Sequence, residues 1–252
     1  WSSDVCSSDL DLVVSGYNEK AQTILYHNEA GAYFSKDVTY NLPQLYGTKM
    51  AWGDLDLDGD IDFFMMGLND EGIGESYLGF KENAQFKLIK DQYPALIKGD
   101  LKIADIDLDG DNDIIYSGED LSGNISSKTI INTYFVNSNS VSLAGLTNSS
   151  IALVNTGATG LGILTQGKNG TAQFNSLNNG NYDFSAISPL QSGDITTGDF
   201  NNDGRVDVVV TGEDDNGVAT TQLYWDVSGK QEKFDITLEG LRASTAEWVD
   251  YD

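Results

Sequence analysis

Aspartate recurs at every second position in Asp54-Leu-Asp-Leu-Asp-Gly-Asp-Ile-Asp62 and again in Asp105-Ile-Asp-Leu-Asp-Gly-Asp-Asn-Asp113. A third stretch, Asp199-Phe-Asn-Asn-Asp-Gly-Arg-Val-Asp207, follows the same plan. Carboxylates packed this densely repel one another unless a cation lies among them. Alternate side chains point the same way when the chain curls round an ion, and glycine at the sixth position permits the reversal. Every donor is oxygen, with no His or Cys, so the expected ion is hard, and Ca²⁺ fits better than Zn²⁺. The side chains of Asp54, Asp56, Asp58 and Asp62 are the expected ligands, with Asp60 offering its carbonyl. The second loop assigns Asp105, Asp107, Asp109, Asp111 and Asp113 in the same way. The third assigns Asp199, Asn201, Asp203, Arg205 and Asp207, where Arg205 can serve only through its carbonyl. An EF-hand needs a bidentate Glu at position 12. Met65, Tyr116 and Val210 stand there, and apolar strand-like residues follow where a helix would begin. A dockerin loop fails on the same two grounds.

These loops must be positioned by the elements around them, and the chain supplies those as repeats. Each loop runs into an apolar segment ending in glycine: Phe63 to Gly67, Ile114 to Gly118, Val208 to Gly212. Asp11-Leu-Val-Val-Ser-Gly16 is the tail of another copy. Val154 to Gly167 is a further one that keeps the strand and the glycine but has lost its acidic residues, so no metal is expected there. Glu247-Trp-Val-Asp-Tyr-Asp252 matches Ala51-Trp-Gly-Asp-Leu-Asp56, which makes Asp250 and Asp252 the start of one more loop. The closing glycines fall at 16, 67, 118, 167 and 212, a period of 45–51 residues. Thr23-Ile-Leu-Tyr-His-Asn28 resembles Thr221-Gln-Leu-Tyr-Trp-Asp226, and a Leu-rich turn such as Leu42-Pro-Gln-Leu-Tyr-Gly47 precedes the next strand. Three or four short strands per unit, without a convincing amphipathic helix, predict an all-β chain. Periods of this size with several strands each mark the four-stranded blades of a β-propeller, stable only when the blades stack. About five blade periods are present, so residues 11–252 are expected to be one domain and a fragment of a longer ring.

Composition narrows the partners. The chain of 252 residues carries 39 Asp plus Glu against 14 Lys plus Arg, a formal charge of −25, about half of it in the three loops. Such acidity argues against nucleic acid and anionic membrane surfaces, both of which are bound through Lys and Arg. No apolar run is long enough to span a bilayer. Residues 1–10, Trp-Ser-Ser-Asp-Val-Cys-Ser-Ser-Asp-Leu, share no pattern with the rest and resemble a translated sequencing adapter. They are set aside from the fold, and with them goes the single cysteine, Cys6. One histidine, two arginines and the absence of any nucleophile or phosphate-loop motif leave little material for catalysis. His27 reads as a strand surface residue, and Trp52 and Trp248 as packing between units. Asn124, Asn148 and Asn169 fit the glycosylation sequon, a pattern that arises by chance in a chain rich in Ser and Asn.

The pattern Asp-x-Asp/Asn-x-Asp-Gly-x-x-Asp, followed by an apolar strand and glycine, resembles the FG-GAP/VCBS repeat family. The same repeat builds the calcium-binding blades of integrin α-subunit propellers. The resemblance covers residues 11–252, and the Leu-Tyr-x-Asn and Ala-Trp-Gly-Asp elements are similar to those of secreted bacterial members. It implies a ring of seven or eight blades, an extracellular or cell-surface location, and structural Ca²⁺ in about three complete loops, with partial sites at the two ends. The function it implies is a non-catalytic module for adhesion or for binding a protein or carbohydrate ligand, monomeric within a larger chain. The alternative is the propeller part of a secreted polysaccharide lyase or hydrolase.

Overall fold

The structure is a computed structural model. It describes residues 10–249 except 30–32, 84, 132–138, 144–145, 156–160, 169–172, 177–183 and 189. Asp250, Asp252 and the sequon at Asn169 therefore lie outside the described residues, as does the stretch that replaces the acidic loop after Asn155.

Among the described residues there is no helix, and the strands form five antiparallel sheets in chain order. The first holds β1 (Leu12–Asn18), β2 (Lys20–Asn28) and β3 (Phe34–Lys36). The second holds β4 (Tyr46–Gly53), β5 (Asp62–Leu68), β6 (Gly74–Glu82) and β7 (Gln85–Lys90). Next come β8 (Leu101–Ala104), β9 (Asp113–Glu119), β10 (Ile125–Ile131) and β11 (Asn139–Leu143). The fourth sheet is β12 (Thr147–Asn155), β13 (Leu161–Lys168) and β14 (Gln173–Ser176). The fifth is β15 (Ile195–Gly198), β16 (Asp207–Glu213), β17 (Ala219–Asp226) and β18 (Gln231–Lys233). Each sheet is a meander whose strands pair with their sequence neighbours, so each repeat unit in the sequence corresponds to one sheet. The four-stranded pattern holds in three of them, while the first and fourth have three strands among the described residues.

The core lies between sheets rather than within any one of them. Successive side chains of a strand point to opposite faces, and β5 is buried from Asp62 to Gly67 because both of its faces are covered. Phe63 and Met65 pack with Val13 and Leu25 of the first sheet. Their neighbours Phe64 and Met66 pack with Ile114 and Tyr116 of the third. Beyond it, Ile115 meets Ile151 and Ile163 of the fourth, and Val154 and Leu164 meet Val208 and Val210 of the fifth. Each such side chain contributes about 1.5–3 kcal/mol when fully buried. A unit standing alone would leave two apolar faces in water. The sequence thus needs near-continuous apolar second strands, and that is why Phe-Phe-Met-Met, Ile-Ile-Tyr and Val-Val-Val lack polar alternation.

The closing glycines have a steric cause. A Cβ on Gly118 (φ +146°) would sit 2.5 Å from the Ile97 carbonyl oxygen, and one on Gly212 (φ +143°) would sit 2.5 Å from that of Gln191. At these points the segment entering each sheet's first strand crosses the end of its second, making bridges Ile97–Glu119 and Gln191–Glu213. Gly16, where no such segment crosses among the described residues, has nothing within 4 Å.

Candidate metal centres

Each acidic loop joins the first strand of a sheet to the second: residues 54–61 link β4 to β5, 105–112 link β8 to β9, and 199–206 link β15 to β16. The loops share a backbone conformation. Position 4 is left-handed in all three (Leu57, φ 60°; Leu108, φ 60°; Asn202, φ 58°), and so is the glycine at position 6 (φ 89°, 100° and 80°). Gly110 at +100° adopts a geometry that side chains resist. The reversal is held by the loop's own carboxylates. The position-1 Asp accepts the N–H of that glycine (Gly59 to Asp54, 3.1 Å; Gly110 to Asp105, 3.0 Å; Gly204 to Asp199, 2.7 Å). The position-5 Asp accepts the N–H of position 7 (Asp60 to Asp58, 2.8 Å; Asp111 to Asp109, 3.1 Å; Arg205 to Asp203, 2.9 Å).

This geometry brings positions 1, 3 and 5 together. One carboxylate oxygen from each of Asp54, Asp56 and Asp58 lies within 4.8 Å of the others, and Asp105, Asp107 and Asp109 do the same. Asp54 Oδ1, Asp107 Oδ1 and Asp111 Oδ1 are shut off from solvent without a hydrogen-bond partner. Buried polar atoms are normally paired, and two of the three, on Asp54 and Asp107, belong to residues of the converging triplets. Electrostatics agree. Asp111 is pushed up to about 6 by burial and then by the charges of Asp109, Asp107 and Asp105. Asp56 and Asp107 are likewise raised, by burial first and by like-charged neighbours second. An all-oxygen donor set of this charge could hold a hard divalent cation, which would relieve the repulsion among these carboxylates. In the third loop Asn201 replaces an acid and donates to Asp203 Oδ2 at 3.1 Å.

Position 9 has a second job that the spacing does not reveal. Asp62, Asp113 and Asp207 are fully buried. Asp62 accepts Leu55 N–H and Lys81 N–H, both at 2.9 Å, and Asp207 accepts Phe200 N–H (3.1 Å) and Asp226 N–H (2.9 Å). Asp113 accepts Ile106 N–H at 2.8 Å. In the first and third loops this carboxylate fastens the loop's second residue to the third strand of the sheet. Asp11 accepts Asn28 N–H at 2.9 Å in the same register, a trace of the motif in the first unit. Burial raises Asp62 and Asp207 even so. Each oxygen keeps a second lone pair, so the clamp and the expected ligand role are compatible.

Two further contacts were visible in the sequence only as unconnected letters. Asp60 pairs with Lys81 at 3.0 Å, and at the same repeat positions Arg205 faces Asp226 at 3.7 Å, with the signs exchanged. The reversal from Asp/Lys to Arg/Asp is the signal that could have found this pair. In the second loop the repeat position equivalent to Lys81 and Asp226 is Asn132, which lies outside the described residues. Asn112 at position 8 donates to the backbone carbonyl of Asp54 at 2.9 Å, bridging one acidic loop to the next.

The residues considered for other roles are also placed. His27 stands on β2, as expected for a strand residue, between Asp11 (3.2 Å) and Asp37 (2.5 Å). Burial lowers its pKa, but the hydrogen bonds to Asp37 and Asp11 outweigh this and raise it. Trp52 packs against Phe63 and Phe86 of its own sheet, in a cluster that Val13 and Leu25 of the preceding sheet also join. Trp248 stacks on Phe200 of the preceding unit at 6.3 Å, while the ring contacts of Trp52 stay within its own sheet. No helix of the described residues is long and apolar enough to cross a membrane. No family model matches the chain, and no curated protein matches it.

Proposed function

We propose that residues 11–252 are part of a calcium-stabilised β-propeller of the FG-GAP/VCBS type, a secreted, non-catalytic module that presents its surface to a protein or carbohydrate ligand. The observation carrying this reading is the convergence of Asp54, Asp56 and Asp58, and of Asp105, Asp107 and Asp109, around buried carboxylate oxygens without partners. Stacked antiparallel meanders, the inner three packed on both faces by neighbouring sheets, support the propeller. Bound Ca²⁺ would neutralise the cluster and hold the reversal closed. The three loops carry their own oxygen donors, which suits a structural ion better than one that activates substrate.

Extracellular calcium modules bind at about 10⁻⁴–10⁻³ M. At roughly 1 mM Ca²⁺ each site would add about 0.4–1.4 kcal/mol by mass action. The test is calorimetric melting in EGTA and after return of Ca²⁺. The expected result is a lower Tm in EGTA, restored by Ca²⁺ and not by equal ionic strength of NaCl; an unchanged melt overturns the reading.

A further inference from the structure

At the ends of the first strands remote from the acidic loops, successive units turn through an equivalent left-handed residue: Gly47 (φ 58°), Lys98 (φ 51°), Asn148 (φ 48°), Ser192 (φ 55°) and Ala243 (φ 48°). Four of these turns line one bowl of about 590 Å³, formed by Lys49, residues 98–100 and 102, 148–150, 192–194 and 243–245. Its volume is that of a small-molecule site. Its lining is unlike the rest of the molecule. Lys49, Lys98 and Lys102 come together here, in a chain with only 14 basic residues against 39 acidic ones. No aromatic and no large aliphatic side chain lines it.

The balance of donors and acceptors decides what such a bowl would hold. Its two carboxylates are already engaged. Asp100 accepts the N–H groups of Leu101 and Ile151, both at 2.9 Å. Asp194 accepts Ile195 N–H (2.9 Å), Ala246 N–H (3.1 Å) and the Ser150 hydroxyl. Lys98 pairs with Glu119, and Lys102 lies 3.9 Å from Asp100. Among the described residues the side chains of Lys49, Asn148, Ser192 and Thr245 have no hydrogen-bond or ion-pair partner. The bowl therefore offers ammonium, amide and hydroxyl donors while its acceptors are largely committed. A ligand rich in acceptors and bearing negative charge complements it, and the spread of its donors over adjacent units suits an extended molecule better than a compact ion. With no ring to stack on, recognition would be by charge and hydrogen bonding alone.

We propose that this bowl binds an oligosaccharide carrying carboxylate groups, a uronate-containing chain, through Lys49 and Lys102 with Asn148, Ser192 and Thr245 on its hydroxyls. The proposal deepens the ligand-display reading above and rests on it.

The test is isothermal titration of the Ca²⁺-saturated chain with a glucuronate-containing tetrasaccharide, its carboxyl-reduced counterpart, and inorganic phosphate. The expected result is binding of the uronate form, at least tenfold weaker binding of the reduced form, no measurable phosphate binding, and at least a tenfold loss in Lys49→Ala/Lys102→Ala. Lys87→Ala, on a remote exposed strand, serves as the control and keeps wild-type affinity. Equal binding of the two tetrasaccharides, phosphate binding of similar strength, an unaffected double variant, or no binding at all overturns the proposal. The Tm response to Ca²⁺ is read on the same sample. If it persists while the uronate fails to bind, this inference alone falls; if it is absent, the underlying reading falls first.

Discussion

Replacing Asp62 with alanine separates the two roles its carboxylate is assigned. The side chain is fully buried and accepts Leu55 N–H and Lys81 N–H at 2.9 Å each. Leu55 is itself fully buried, so the variant takes away a hydrogen bond that water cannot readily replace. A buried donor without a partner costs about 1–3 kcal/mol. Lys81 is only partly buried, so its N–H adds less, and the sum is partly offset because the carboxylate no longer has to be buried in charged form. The net expectation is a loss of about 2–4 kcal/mol, a large share of the roughly 5–15 kcal/mol typical of a folded domain. That loss should appear without any metal. Asp58→Ala, at an exposed position of the proposed site, is the counterpart: it should cost at most about 1 kcal/mol in EGTA and should abolish one proposed site's calcium increment. Urea unfolding followed by tryptophan fluorescence, for wild type and both variants, in EGTA and in excess Ca²⁺, gives the four comparisons needed. If Asp62→Ala matches wild type in EGTA within about 0.5 kcal/mol and differs only when Ca²⁺ is present, the clamp does not exist and Asp62 is a ligand alone.

Other outcomes follow from the same geometry. Gly118→Ala places a methyl 2.5 Å from a backbone carbonyl at φ +146° and should lower the Tm more than Gly16→Ala, where space is open, in a side-by-side thermal melt. Asn112→Ala removes the bridge to the Asp54 carbonyl; it should cost about 0.5–1.5 kcal/mol and weaken calcium binding at residues 54–62 by titration calorimetry, although Asn112 belongs to the neighbouring loop. Below neutrality the metal-free chain should become more stable. Asp111 is raised to about 6, so its charge opposes folding above that value and is relieved as pH falls toward the ordinary carboxylate range. His27 acts in the same direction, because a raised histidine stabilises below its ordinary value and loses that contribution as pH rises through its folded one. Melts in EGTA at pH 5.5 and 7.5 check this, and Asp111→Asn should flatten the difference.

Much of this arrangement could be read from letters alone because it repeats. Five sheets, their second strands and the reversal at Gly59, Gly110 and Gly204 all follow from a motif written several times with the same offsets. What could not be read depends on partners about one strand or one unit away. The clamp made by Asp62 is invisible because its donors are backbone N–H groups, and every residue but proline has one. The face to which Phe63 or Phe64 points was also hidden, since an unbroken apolar run carries no alternation to assign sides. Likewise Asn112 reads as an ordinary loop residue, because the carbonyl 2.9 Å away belongs to Asp54 of the preceding unit. The bowl escaped notice for the same reason: its lysines, Lys49 and Lys102, lie a unit apart in sequence.

That Phe63 and Phe64 belong to different neighbours has a mechanical consequence. Because the boundary between sheets, not the sheet itself, holds the apolar contacts, a chain pulled from its ends has no internal point of failure smaller than one unit. A detached sheet would keep its strand ladder but neither apolar face, and would extend at once. Stretching should therefore release slack in quanta of one period, 45–51 residues. That is a contour length of about 150–180 Å at roughly 3.3–3.6 Å per residue. The saw-tooth would begin at whichever end unit has lost a neighbour.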